Sequence, residues 1–125
     1  MIENEISEKV IGAAIEVHKI LGPGLLESAY EKSLAREFQL RGINYQQQVA
    51  LPLIYKDEKC DIGYRIDLLV EQKVIIEIKS VDTIDNLHIA QILTYLKLSN
   101  CKLGLLINFN VVRLVDGIKR VVNNL

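Results

Sequence analysis

Between Val74 and Phe109, two apolar stretches, VIIEIKS and KLGLLINF, bracket a segment from about Asp85 to Leu98 that reads as a helix capped by Asp85 or Asn86. The order strand, helix, strand predicts two parallel strands of one sheet, joined by a right-handed crossover. That unit commits the chain to an α/β architecture.

The rest of the sequence adds elements around it. Apolar residues at 6, 10, 13, 14, 17 and 21 have helical spacing, with Asn4 as the expected N-cap and Gly22-Pro23-Gly24 as the breaker. A second helix follows, with Leu26, Ala29, Tyr30, Leu34 and Phe38 on one stripe and Gly42 as its stop. Residues 43–55 turn β-branched and aromatic around Pro52, which predicts one bent edge strand or two short ones. KDEKCD (56–61) reads as a turn before a strand from Tyr64 to Val70, and Glu71-Gln72-Lys73 turns the chain into the strand Val74 to Ser80. VVRLVD (111–116) reads as a further short strand. The sheet is therefore mixed, an antiparallel meander followed by a parallel strand.

At 125 residues the chain is expected to be one domain, residues 1–125, and its half hydrophobic, one-quarter charged composition is ordinary for a globular protein. No apolar run approaches the roughly 20 residues that span a bilayer, and the acidic start MIENEISEKV does not resemble a secretory signal. Cys60 and Cys101 stand alone, as reduced thiols in a cytoplasmic protein do. Fifteen basic residues are cancelled by sixteen acidic ones. This weighs against tight nonspecific DNA binding by a monomer, while leaving room for a small acidic catalytic site.

Glu77 and Lys79 sit two apart in the most hydrophobic strand, and so on one face of it. If Glu71-Gln72-Lys73 form the loop and Val70 pairs with Val74, Asp67 lies opposite Glu77, with Cβ atoms about 4.5–5.5 Å apart. A two-residue loop would move Asp67 to the other face. Two facing carboxylates need a cation between them. Lys79 is one candidate. Mg²⁺ is another, held by Asp67, Glu77 and the backbone carbonyl of Ile78. Lys79 would then orient or help deprotonate a water, or stabilise developing phosphate charge, in metal-assisted phosphodiester hydrolysis. By spacing alone, a salt bridge on a solvated sheet face is the more ordinary explanation. The other acidic-x-Lys triplets, Asp57-Glu58-Lys59 and Glu71-Gln72-Lys73, are solvated turn charges.

The stretch EVHKILGPGLLESAYEKSL, followed in order by YRIDLLVEQKVIIEIKS, HIAQILTYLKLS, GLLINFN and GIKR, closely resembles the bacterial GxxExxY family of the PD-(D/E)XK nuclease-like superfamily, from about Ile11 to Arg120. The resemblance implies a three-layer, restriction-endonuclease-like core, a mixed sheet flanked by helices. It implies Glu27 as a helix-borne acid and metal ligand, Asp67 as the aspartate of the second core strand, and Glu77 and Lys79 as the E-x-K of the third. Gln91 and Tyr95 match a Q-x-x-x-Y helix motif placed beside the metal. The implied cofactor is Mg²⁺ or Mn²⁺ and the implied partner is DNA or RNA, with a non-catalytic nucleic-acid- or protein-binding domain as the alternative. Apart from the resemblance, Glu27 is a carboxylate favoured by a helix dipole, Tyr30 suits either the core or a substrate contact, and Gln91 and Tyr95 suit helix packing. His88 suits either the cleft or the surface, and His18 the helix surface or the underside of the Gly22-Pro23-Gly24 loop. A homodimer is expected to supply further groove surface, through VVRLVD and VVNNL (121–125).

Overall fold

The helical periods at the start of the chain become α1 (Glu3–Leu21) and α2 (Glu27–Arg41), followed by β1 (Tyr45–Tyr55), β2 (Glu58–Val70), β3 (Val74–Lys79), α3 (Asn86–Ser99), β4 (Leu103–Asn108), a 3-10 turn (Leu114–Gly117) and β5 (Ile118–Val122). This computed structural model describes residues 1–125, apart from the side chain of Ile62. The five strands form one sheet in the order β1-β2-β3-β4-β5. β3 and β4 run parallel, as the crossover requires, and every other pair is antiparallel.

The layers follow from where the apolar side chains point. α1 and α2 cover one face, with Val10, Leu34 and Phe38 packed on Val74, Ile76, Leu105 and Ile107. α3 covers the other, with Ile92 and Leu96 against Ile75 and Leu106. This is the three-layer α/β arrangement, a mixed sheet between helices. Asp85 caps α3 by accepting from Leu87 and His88 N–H, while His88 Nδ1 accepts from the Asp85 N–H. At the other end Gly42 takes the left-handed conformation that closes α2.

Three expectations change. α1 begins with Ile2 at its cap position and no side-chain cap, so Asn4 lies inside the helix, where its side chain meets Arg120. KDEKCD is mostly strand, because the turn needs only Lys56 and Asp57. Both have positive φ (47° and 66°), which matches the twist of a two-residue hairpin. VVRLVD is not a strand. Leu114 folds into the core, and β5 starts four residues later, so that Ile118 can pair with Ile107. The return is tight: a Cβ on Gly117 would lie 2.2 Å from the Asn108 carbonyl oxygen, which leaves room only for glycine. β1 is continuous on the sheet edge, and its register shifts between Leu51 and Leu53, around Pro52.

Candidate functional site

The pairing of β2 with β3 joins Val70 to Val74 and Leu68 to Ile76, the register of a three-residue loop. One step further Asp67 meets Glu77, and there the ladder stops. Ile66 belongs to the apolar cluster under α3, whereas Leu68 belongs to the cluster under α1 and α2, so the in-out alternation slips at Asp67. Across from it, Gln48 on β1 has φ of 50°, a left-handed backbone in the middle of a strand. This distortion lets the side chains of Asp67 and Glu77 enter the gap between strands.

Each carboxylate replaces a missing ladder bond. The Asp67 N–H donates to Glu77 Oε2 at 2.8 Å, and the Ile78 N–H donates to Asp67 Oδ2 at 2.8 Å. Glu77 is only 5 % exposed. Burial, then the charge of Asp67, pushes its carboxyl up to about 8, against the pull of the Asp67 N–H and of Lys79. Asp67 is raised too, by burial first, with Glu31 adding to the effect, while Ile78 N–H, Gln48 and Lys79 oppose it. The metal-free pair therefore carries a proton at neutral pH.

The simple salt bridge does not form. Among the described residues the ion pairs within 4.0 Å are Arg41 with Glu37 and His88 with Asp85, so the Lys79 ammonium is unpaired. It acts on both carboxylates only at longer range.

The other candidates lie on the neighbouring elements α2, β3 and α3. Tyr95 is buried, and its hydroxyl is raised by burial first and then by Glu77, Tyr64 and Asp67, with the Gln91 amide opposing the shift. Gln91 is exposed one turn before it on α3. Glu27 sits at the start of α2 and accepts from the Ser80 N–H at 3.3 Å, at the exit of β3. Ile78 is buried and contributes its N–H to Asp67.

Three further residues, missed in the sequence, support the site. Gln48 Nε2 donates to Glu31 Oε1 at 2.8 Å and, more loosely, to Asp67 Oδ1 at 3.4 Å. Glu31 also accepts from Gln47. Glu31 lies one helical turn after Glu27, and that spacing was the available signal. Asn108 is buried and clasps Val81 by accepting from its N–H and donating to its carbonyl, which fixes the segment leaving β3.

Several side chains prove structural. Tyr30 is fully buried, stacks on Phe109 at 4.5 Å and donates to the Gly22 carbonyl at 2.6 Å. His88 belongs to the α3 cap. His18 is buried and bonds the Val111 carbonyl, which ties α1 to the loop after β4 rather than to the Gly22-Pro23-Gly24 turn.

The donor set suits a hard divalent cation bound lightly. Two carboxylates converge, each with one oxygen engaged by a backbone N–H, and Mg²⁺ commonly takes one or two carboxylates and completes its shell with water. No group of three or more His, Cys, Asp or Glu residues arranged to hold a metal occurs among the described residues. Glu27 is thus not part of such a cluster with Asp67 and Glu77. Nor is any helix among them long and apolar enough to cross a membrane.

The sequence model of the PD-(D/E)XK nuclease superfamily matches residues 4–121. No curated protein and no solved structure matches the chain.

Proposed function

The chain belongs to the PD-(D/E)XK nuclease superfamily, and from that premise we propose that it is a divalent-metal-dependent nuclease hydrolysing phosphodiester bonds of DNA or RNA. The observation that carries this is the break in the β2–β3 ladder. Asp67 and Glu77 are forced together there, at an energetic cost, with an unpaired lysine two residues along the same strand.

Asp67 and Glu77 would hold Mg²⁺ or Mn²⁺, which supplies Lewis-acid polarisation of a phosphate oxygen or a water. Glu77 must first give up the proton that burial keeps on it. Lys79, free of any ion pair, positions the attacking water or stabilises charge growing on the phosphate. Gln91 and Tyr95 line the α3 side of the pair and orient what binds there. Glu27, through Ser80, fixes the exit of β3. The same reading takes residues 1–125 as one domain of a bacterial, cytoplasmic GxxExxY protein, with nucleic acid and a second copy of the chain as partners.

The test is cleavage of labelled single- and double-stranded DNA and RNA in Mn²⁺, with Glu77→Gln and Lys79→Ala alongside. Wild-type cutting, abolished in both variants and by chelation, is expected. Equal silence or equal cutting by all three proteins would overturn the proposal. A second reading, a non-catalytic nucleic-acid- or protein-binding domain, is favoured by the absence of a three-ligand cluster among the described residues. It expects binding indifferent to Glu77→Gln.

A further inference from the structure

β2 pairs with β3 only from Leu68 onward, so its first part forms a two-stranded arm with β1. Between this arm and α3 lies a cavity of about 270 Å³, lined by Leu53, Tyr64, Gln91, Thr94, Tyr95 and Leu98. That is slightly under the roughly 300–1,000 Å³ of drug-sized sites, and it suits a single ring system. We propose that this cleft takes one unstacked nucleobase of a single-stranded nucleic acid, beside the carboxylate pair, with Tyr64 as the stacking platform.

The chemistry of the lining supports a base. Tyr64 and Tyr95 have ring centroids 6.1 Å apart and planes tilted by 54°, so they meet without stacking flat on one another. Tyr64 remains 39 % exposed, and part of its ring is open to a ligand. Leu53 and Leu98 give an apolar floor, and the exposed Gln91 amide offers both a donor and an acceptor to a base edge. Tyr95 faces both ways: it lines this cleft, and its hydroxyl feels Glu77 and Asp67. A base held here would place its own backbone near the proposed chemistry.

Charge balance points the same way. With fifteen basic residues against sixteen acidic ones, phosphate attraction is a weak source of affinity. Stacking on aromatic side chains supplies affinity that does not depend on net charge. In a duplex the base faces are already stacked, so occupancy requires a single strand or an extruded nucleotide.

The inference rests on the nuclease reading for its orientation, and its test is separable from it. Affinity for a labelled single-stranded oligonucleotide is measured by fluorescence anisotropy in Ca²⁺ and in chelator, for wild type, Tyr64→Phe, Tyr64→Leu and Tyr64→Ala. A 2-aminopurine-containing strand reports stacking directly. Tyr64→Phe should bind as wild type, and Tyr64→Leu and Tyr64→Ala about ten-fold more weakly, with loss of the 2-aminopurine signal. Tyr64→Leu keeps apolar bulk between arm and helix, so it reads stacking even if Tyr64→Ala unfolds. Ring-dependent binding without cleavage of any strand leaves the base site standing and overturns hydrolysis. Cleavage with affinity indifferent to Tyr64 substitution does the reverse. Binding of duplex in preference to single strands, capture of apolar peptides in place of oligonucleotides, or no oligonucleotide binding at all overturns the base site.

Discussion

The two faces of the sheet are built to different standards. On the α1/α2 side, twenty buried residues among those described form one apolar cluster, with Tyr30, Phe38 and Phe109 as its largest fully buried side chains. On the α3 side there are nine, together with a buried carboxylic acid and an open cleft. Apolar burial contributes stability roughly in proportion to area, so most of it comes from the first face. The second face can therefore tolerate a destabilising acid and an incomplete ladder. The denser packing and the buried acid thus lie toward opposite sides of a single sheet, while Glu31 of α2 reaches Asp67 through Gln48.

This contrast can be broken experimentally. The largest effect is expected from Phe38→Ala, which opens a cavity on the closed face and should cost about 3–5 kcal/mol in urea unfolding. A loss under 1 kcal/mol would mean that this face is not the main source of stability. Next comes the pH dependence of the metal-free protein. In the fold Glu77 holds its proton up to about 8, against an ordinary value of 4.5, whereas the unfolded chain releases it near that lower value. Its contribution is then full below about pH 4.5 and is lost as pH rises through about 8, on the order of a few kcal/mol. Melting temperature should fall between pH 5 and pH 8.5. Glu77→Gln should remove most of that slope and leave the smaller part due to Asp67, which is raised in the same direction. An undiminished slope in Glu77→Gln would assign the effect elsewhere. The smallest effect is Asp85→Ala, which removes the α3 cap and should cost about 1 kcal/mol while leaving any cleavage in place. A larger loss would show that the thinner face leans on its one helix more than its packing suggests.

The elements were legible where one signal dominated. The three-residue loop at Glu71-Gln72-Lys73 set the register that brings Asp67 to Glu77, and the crossover set β3 parallel to β4. What escaped depended on tertiary context. Val111 and Val112 look like strand residues, yet the chain there must bury Leu114 and squeeze Gly117 past the Asn108 carbonyl. Asn4 has cap chemistry, but the helix extends past it to Glu3. Within the site, the facing acids could be anticipated and the splayed ladder could not, because it turns on a left-handed glutamine in β1 that no local rule places there. The link from Glu31 through Gln48 to Asp67 depends on that same distortion.

The reciprocal bonds of Asp67 and Glu77 to backbone N–H groups also bear on how such a chain would change over generations. Even a chain of this fold that did not cut would need a side chain of that length with an accepting oxygen at both positions, as the acids or their amides supply, since a shorter one would strand an amide in the sheet. Lys79 has no such obligation: among the described residues its ammonium is in no ion pair within 4.0 Å. Loss of that lysine, more than shortening at either acid, is what a chain of this fold under no selection for cleavage would show first.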